Sequence, residues 1–387
     1  FVNNIGLDYL SGLVGTISGA GAGRTTSSFL ASPFFRSNSD KFTLNSFGIF
    51  GEAYFEFNDQ LKLTLGARYN DDKKFVRART TFANALLPIG TTDARPAFNS
   101  GPDFDATQLG AQPFAESRVH YSRVTGRAVL DYQITPDNLI YASYSRGYKS
   151  GGINPPLSPL FAVPTTFRPE TVDSFEIGSK NTFGNGALRL NVTGFYYKYK
   201  DLQLTRIVAR TSVNDNISAN IYGVEAEAVI SPTPALVINA NVSYLKTEVA
   251  QDRLLTNPRD VSGGRADAVI IKDLAGAYNC AVLPTSGGAA AARGFVDASN
   301  ALLGLNGSVP LLANGTYGAF SACKFLQAQQ IATNAPVSVL LDGNPVNVRG
   351  NRLPNSPTYK WAVGAQYTFD IGEWTLVPRA DLNYTGD

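Results

Sequence analysis

The sequence predicts an all-β fold, an antiparallel up-and-down β-barrel that crosses a membrane with its strands. Apolar and polar residues alternate along many segments, the connections between these segments are alternately short and long, and aromatic residues stand near the segment ends. Alternation with period two is typical of a strand with one polar and one apolar face. No apolar run reaches the roughly 18 residues of a spanning helix, whereas a spanning strand needs only about 9 to 11.

The composition fits a large β protein and excludes other classes. The 387 residues include 44% hydrophobic and 17% charged residues, with a formal net charge of +2. This balance is neither that of a disordered chain nor that of a nucleic-acid-binding protein, which carries clustered basic residues. We therefore expect no nucleic-acid partner. The chain begins at Phe1 without a signal segment and has no methionine, which suggests an internal fragment.

The segment LRLNVTGFYY shows the alternation most clearly, and SFGIFGEAYFEF, LKLTLGARYN, RVTGRAVLDYQI, YGVEAEAVI, LVINANVSYL and WAVGAQYTF repeat it. LIYASYSRGY leaves the choice of face open, because both of its alternating sets are apolar. In a transmembrane barrel the apolar set faces lipid and the polar set faces the lumen. The predicted lipid-facing residues are Leu188, Leu190, Val192, Leu236, Ile238 and Val242. The predicted lumen-facing residues are Arg189, Asn191, Glu225, Glu227, Asn239 and Asn241.

Short and long connections alternate along the chain, and this order predicts the architecture. Turn-forming residues cluster in five short stretches, at 58–60, 135–137, 184–186, 231–234 and 370–373. Long polar segments occupy 11–40, 81–117, 150–169, 202–215 and 250–350. Outer-membrane barrels have short turns at the periplasmic end and long loops outside. A soluble sandwich has no reason to separate loop lengths in this way.

Aromatic residues stand near the predicted strand ends on the apolar side. They are Tyr69, Tyr132, Tyr196, Tyr244, Trp361, Tyr367 and Trp374. Tyr and Trp form girdles where a barrel meets the lipid headgroups. For any single residue an ordinary core position is the alternative, but together these residues favour a girdle.

Several segments, in the same order along the chain, resemble one family. NLIYASYSRGYKSGGIN and RPETVDSFEIGSKNTFGNGALRLNVTGFYYKYKDLQ resemble the middle of the barrel of TonB-dependent outer-membrane receptors, in particular the branch for iron complexes. IYGVEAEAVISPTPALVINANVSYLKTE resembles the next hairpin, and GNRLPNSPTYKWAVGAQYTFD a later one. The similarity covers most predicted strands from Phe42 to Asp387.

The resemblance implies a 22-stranded barrel closed around an N-terminal plug, with a short TonB-contacting segment before the plug. We count about eleven strands, so residues 1–387 are expected to be a partial receptor barrel, about half of the whole and without its plug. The implied location is the bacterial outer membrane. The implied partners are outer-membrane lipid and, through the missing N-terminal segment, the TonB complex.

The function that the resemblance implies is TonB-dependent active uptake of a scarce large solute, most often a ferric siderophore, across the outer membrane. A passive porin-like channel, or a receptor for a non-iron solute such as a vitamin or carbohydrate, is the alternative. Basic and aromatic groups suit an anionic, aromatic iron chelate. Candidate ligand-binding residues near the outer rim are therefore Tyr148, Lys149, Arg168, Arg206 and Arg210, with interfacial anchoring or loop packing as the alternative role.

Candidate catalytic groups are few, and we predict neither an enzyme nor a bound cofactor. His120 is the only histidine, and no G-x-S-x-G motif accompanies it. Glu225 and Glu227 stand two residues apart on one predicted strand, where both would face a wet lumen. The GAGAG stretch at 19–23 lacks the lysine of a phosphate-binding loop.

The segment 250–350 is predicted to be a long extracellular loop that helps to gate or line the ligand site. Loops longer than about 12 to 15 residues are uncommon, so this one should be functional or carry its own small structure. It contains both cysteines, Cys280 and Cys323. An oxidising compartment favours a disulfide between them, and their spacing fits no metal site.

Overall fold

A computed structural model of the chain describes residues 28–29, 34–83, 87–88, 114–156, 163–208, 211–273, 279–303, 308–309 and 317–386. The strands within these residues are β1 (Ser28–Phe29), β2 (Phe34–Glu56), β3 (Leu61–Ala83), β4 (Leu87–Pro88), β5 (Ala115–Thr135), β6 (Asn138–Lys149), β7 (Gly152–Ile153), β8 (Thr166–Phe167), β9 (Glu170–Phe183), β10 (Leu188–Val208), β11 (Thr211–Thr233), β12 (Leu236–Val249), β13 (Leu254–Leu255), β14 (Val269–Asp273), β15 (Asn279–Pro284), β16 (Ser308–Val309), β17 (Tyr317–Ser321), β18 (Val337–Leu340), β19 (Val346–Asn347), β20 (Tyr359–Tyr367), β21 (Phe369–Ile371), β22 (Trp374–Leu376) and β23 (Arg379–Thr385). The helices are α1 (Gly288–Leu302) and α2 (Cys323–Thr333).

Ten strands form one antiparallel sheet, which we call the wall. Its order is β2-β3-β5-β6-β9-β10-β11-β12-β20-β23, so each long strand pairs with the next long strand along the chain. The meander confirms the predicted up-and-down architecture, with ten strands where the sequence predicted about eleven. Within the described residues the sheet is open, with β2 and β23 at its edges.

The register of the wall separates two faces. Val192 pairs with Ala226, and Ala226 with Val242, so these residues share the apolar face. In the neighbouring register position Asn191, Glu227 and Asn241 share the polar face. The six residues predicted to face lipid all lie on the apolar face, and the six predicted to face the lumen all lie on the polar face.

Among the described residues no second protein layer covers the apolar face of the wall. Ile177 is 68% exposed on β9 and Val224 is 49% exposed on β11. The register also decides the ambiguous segment on β6, because Ile140 pairs with Tyr132 on the apolar face. Aromatic residues border this face, for example in the pairs Tyr196–Tyr222 and Tyr244–Tyr359.

The polar face carries contacts between strands that suit a water-filled lumen. Arg127 of β5 binds the carboxylate of Glu52 on β2. The hydroxyl of Tyr197 donates to Glu176 at 2.9 Å. Charged and hydrogen-bonding groups of this kind are typical of the inside of an outer-membrane barrel.

Short turns lie at one end of the wall, at 57–60, 136–137, 184–187 and 234–235, close to the predicted positions. The predicted turn at 370–373 is that of the small β21–β22 hairpin, which lies between β20 and β23 in the chain. The predicted loop 202–215 is wrong, because β10 continues to Val208 and β11 begins at Thr211. A bulge between Tyr199 and Leu202, with Asp201 at φ 57°, shifts the register there. The bulge interrupts the alternation, so a continuing strand resembles a loop in the sequence.

The segment 250–350, which we call the insert, folds as a small α/β unit between β12 and β20. Its sheet has the order β16-β17-β14-β15-β18, and β14 and β17 are parallel. The two strands β13 and β19 pair where the insert joins the wall. The insert therefore carries its own structure, as its length predicted. No helix in the described part of the chain is long and apolar enough to cross a membrane.

Both faces of the insert sheet are covered. The helices pack on one face, where Ile271, Val282, Val296 and Leu326 are buried in one cluster. Ile270 belongs to a second cluster on the other face. The bond between Cys280 and Cys323 joins β15 to the first residue of α2, with the two Cα atoms 6.1 Å apart.

Candidate functional site

Within the described residues, three segments lie at the end of the wall opposite the short turns, and we call this end the outer rim. They are the loop 150–169 between β6 and β9, the tip of the β10–β11 hairpin, and the insert. Because antiparallel strands alternate in direction, these connections all leave the wall at the same end. The candidate ligand-binding residues lie around them.

The loop 150–169 is attached to β11 by the side chain of Asn154, which is 2% exposed. Its amide nitrogen donates to the backbone carbonyl of Asn214 at 2.9 Å, and its oxygen accepts the N–H of Asn214 at 2.8 Å. The same nitrogen donates to the carbonyl of Pro164. The side-chain amide thus makes the pair of bonds that a neighbouring strand would make.

Asn216 makes an equivalent attachment, but here the side chain belongs to β11 and the backbone groups belong to the loop. Its oxygen accepts the N–H of Arg168 at 2.7 Å, and its nitrogen donates to the carbonyls of Arg168 and Asp201. The sequence analysis missed both asparagines. Each acts on backbone groups 48 or 60 residues away, a relation that no local pattern in one sequence reveals.

Tyr148 lies in a network with the first strands of the wall. Its hydroxyl donates to Asp72 at 3.0 Å, and Asp72 also accepts a bond from Ser46. Nearby, the ammonium group of Lys74 donates to the carbonyl of Gly151 at 2.6 Å. Tyr148 therefore has a packing role at the base of the loop 150–169, whatever else it binds.

Arg168 combines a fixed backbone with an exposed side chain. Asn216 holds its N–H and carbonyl, while its side chain is 67% exposed and its guanidinium contacts Asp201 at 2.6 Å. Lys149 is exposed at the end of β6. A cation whose backbone is already ordered loses less entropy on binding an anion than one on a mobile segment.

Asp215 joins the hairpin to the insert. Arg253 donates to both of its carboxylate oxygens, at 2.7 and 2.6 Å, and the Nε atom of Arg206 lies 3.5 Å away. Only 13% of the Asp215 side chain is exposed. On the insert side, burial raises the pKa of Asp342 above its usual range, while the charge of Arg206 opposes that shift.

The candidate residues thus have separate local partners. Tyr148 contacts Asp72, Arg168 contacts Asp201 and Arg206 contacts Asp215. Arg210 lies outside the described residues. Their role in ligand binding stays a prediction. Within the described ranges no group of three or more His, Cys, Asp or Glu side chains could hold a metal ion.

The wall is an antiparallel meander with one apolar and one polar face, and the outer rim elaborates one of its ends. The sequence matches the model of the TonB-dependent receptor-like β-barrel family over residues 2–387. The chain belongs to this family. Its members are transport receptors of the bacterial outer membrane, and the apolar face of the wall is accordingly the face that meets lipid.

Solved structures with the same fold include the ferric yersiniabactin uptake receptor FyuA from Yersinia pestis. It has a TM-score of 0.51 and 16% identity over 91% of this chain and 36% of that chain. The siderophore receptor PiuA from Acinetobacter baumannii has a TM-score of 0.44 and 15% identity over 89% and 33%. The ferric-catecholate import receptor Fiu from E. coli K12 has a TM-score of 0.45 and 13% identity over 89% and 35%.

The chain thus spans about a third of the length of these receptors. At 16% identity, the likeness to FyuA shows the fold alone. No curated protein matches the sequence.

Proposed function

We propose that the protein serves in TonB-dependent active uptake of a ferric siderophore across the outer membrane. The observation that carries the proposal is the family match over residues 2–387. FyuA, which shares the fold, is a ferric yersiniabactin uptake receptor. Energy transmitted by the TonB complex would drive the passage of the ligand through the barrel.

The chemistry of the outer rim supports an anionic ligand. Arg168 and Lys149 present exposed cations there, and arginine suits carboxylate, phenolate or similar oxygen donors because its donors form a planar fork. Its contact with Asp201 uses Nε and one of the two Nη atoms, so an incoming anion can bind the N–H groups of the other Nη atom.

The insert is proposed to lie on the extracellular side and to line or gate the ligand site. It leaves the wall at the same end as the loop 150–169. Arg253 ties it to the β10–β11 hairpin through Asp215. A folded unit attached beside the opening can cover it or uncover it by moving as one body.

The test is uptake of radioactive iron by cells that express the receptor and lack other siderophore receptors. Ferric siderophores of catecholate, hydroxamate and carboxylate type are offered in turn. Arg168→Gln is expected to raise the half-saturating concentration of the transported chelate by about tenfold, because one charge-assisted bond is lost. Arg146→Gln is the matched control, since Arg146 is bonded to Asp173 on the lipid-facing side of the wall.

Deleting TonB from the same cells should stop uptake. Transport that continues without TonB would overturn active uptake and favour a passive channel. Transport of a vitamin or carbohydrate, with no iron chelate transported, would overturn the siderophore assignment. An equal effect of the two arginine substitutions would remove Arg168 from the ligand site.

A further inference from the structure

We propose that the lipid-facing side of β2, β3 and β5, just beyond the aromatic border, binds the phosphorylated headgroup of an anionic lipid. The surface, which we call the basic patch, consists of lysine, arginine and histidine side chains and two phenylalanines on β2, β3, β5 and the residue that precedes β5. Its members are Lys41, Lys73, Phe75, Arg77, Arg79, Phe114, Arg118 and His120.

The register places these residues on the outer face. Tyr69 pairs with Val124 and Ile49 on the apolar face, and every second residue of β3 beyond Tyr69 continues that face. Lys73 pairs with His120, and Phe75 pairs with Arg118. At about 3.3 Å per residue and a tilt near 45°, Lys73 lies about 9 Å beyond the ring of Tyr69. This is the depth of lipid headgroups.

The neighbouring positions of β3 point the other way. Asp72 contacts Tyr148, and Lys74 contacts the carbonyl of Gly151. Both contacts belong to the outer rim. Lys73 between them is exposed, so the basic patch is a separate surface on the opposite face of the same strands.

Two phenylalanine rings hold the cations in place. Arg118 and Lys41 lie 4.5 and 5.6 Å from the centre of the Phe75 ring. Arg77 and Arg79 lie 4.6 and 4.7 Å from the centre of the Phe114 ring. A guanidinium on a ring face keeps its N–H groups at the edge, where they can bind phosphate oxygens.

Carboxylates offset only part of the positive charge. Asp40 contacts Arg77, and Glu116 lies 3.3 Å from Arg118. Asp71 contacts His120 at 2.6 Å. In the described part of the chain, no ion pair engages the remaining cations, Lys41, Lys73 and Arg79. The five permanent cations therefore outnumber the three carboxylates.

Continuity with the lipid-facing band identifies the occupant as a lipid. Directly below the patch Phe47, Ile49 and Val124 are each more than 60% exposed. Acyl chains cover such residues in a membrane. A molecule with its chains on this band would bring its headgroup to the cations, and each cation near an anionic headgroup contributes about 1 kcal/mol, or roughly fivefold in affinity.

The test uses the receptor purified from outer membranes, exchanged into neutral detergent and freed of lipid. Binding is measured by native mass spectrometry and by titration with micelles that contain bisphosphorylated lipid A, monophosphorylated lipid A or phosphatidylcholine. The double variant Lys73→Gln/Arg118→Gln should bind the bisphosphorylated lipid about 25-fold more weakly, roughly fivefold for each cation. Binding of phosphatidylcholine should not change.

The matched control is Lys198→Gln/Lys200→Gln. These lysines are exposed on the lipid-facing side of β10, two and four residues beyond Tyr196. This control removes the same charge and should keep full binding. The charge-retaining variant Lys73→Arg/Arg118→Lys should also bind, which separates an effect of charge from an effect on folding. The heat-dependent gel mobility of each variant checks that its barrel is intact.

Three outcomes would overturn the proposal. Equal losses in the two double Gln variants would show a diffuse charge effect instead of a site. Equal binding of all three lipids would show that phosphate is not recognised. Free pyrophosphate that binds as tightly as the bisphosphorylated lipid would identify a soluble anion as the ligand.

Discussion

The wall and the insert bury their apolar residues in opposite ways. In the insert Ile271, Val282 and Leu326 are fully buried between sheet and helices. In the wall Ile177 is 68% and Val224 49% exposed, on a face that no other described part of the chain covers. The same apolar residue types are thus removed from water in two ways. Lipid covers them in the wall, whereas helices of the same chain cover them in the insert.

The sources of stability differ accordingly. Long hydrogen-bond ladders satisfy the backbone of the wall, which hydrocarbon requires because it offers no other partners. The insert relies on two apolar clusters and on the bond between Cys280 and Cys323. We therefore expect substitutions to affect one part and leave the other intact.

The largest effect is expected from removing the disulfide. Changing Cys280→Ser together with Cys323→Ser should destabilise the insert by about 4 kcal/mol, because the bond closes a chain separation of 43 residues in the unfolded state. Protease cleavage in urea measures the insert, and heat-dependent gel mobility measures the wall. Reduced wild-type protein is the control for the side-chain change. A wall that unfolds with the insert would contradict their independence.

The two faces of the wall should differ in their tolerance of charge. Val192→Arg places arginine on the lipid-facing side and should cost about 2 to 4 kcal/mol near the midplane. Asn191→Arg is the matched control, because it is the adjacent residue on the polar face. Folding into lipid vesicles measures both variants. Equal costs would overturn the assignment of the faces.

The junction between the two parts should respond to Asp215→Asn. The change leaves Arg253 and Arg206 without their shared carboxylate and should weaken docking of the insert by about 2 kcal/mol, since the contacts are only partly shielded from water. Hydrogen exchange at β13 and β19 reports docking. Asp267→Asn removes the exposed partner of Arg265 inside the insert and should leave that exchange unchanged.

The smallest effect is a pH dependence within the insert. Burial raises the pKa of Asp342, so the folded insert loses stability as the pH rises through the ionisation of this group. Asp342→Asn should therefore slightly raise the melting temperature at neutral pH and have no effect at a pH below the usual range of aspartate. If the melting temperature rises by the same amount at every pH, the ionisation of Asp342 is not the cause.

Asp252 provides the comparison of opposite sign. Hydrogen bonds from Asn347 and Arg349 lower the pKa of Asp252. The contribution of Asp252 to stability is fully present at a pH above the usual pKa of aspartate. It is lost as the pH falls through the lowered pKa of the folded state. Asp252→Asn should thus destabilise the insert at neutral pH and have no effect at low pH, as followed by the same melting curves.

The sequence predicted the wall well where the alternation is unbroken. The faces of β10 and β11 follow from period-two patterning alone, and the turn at 184–187 follows from its glycines. The extension of β10 past Asp201 could not be predicted, because a bulge there breaks the pattern.

The insert and the outer rim were less predictable for a different reason. β14 is buried on both faces, so Val269, Ile270 and Ile271 show no alternation that could reveal a strand. The attachments made by Asn154 and Asn216 depend on backbone groups brought near by folding. The sequence could indicate cationic candidates such as Arg206, but it could not indicate which carboxylates they contact.

Three consecutive residues of β11 contact both the loop 150–169 and the insert. Asn214 is bonded to the loop 150–169 through Asn154, and Asn216 is bonded to it through Arg168. Asp215 between them is bonded to the insert through Arg253. The tip of one hairpin therefore connects the loop to the insert through three adjacent residues of paired backbone. We expect a displacement of the insert to be transmitted to the loop through this stretch.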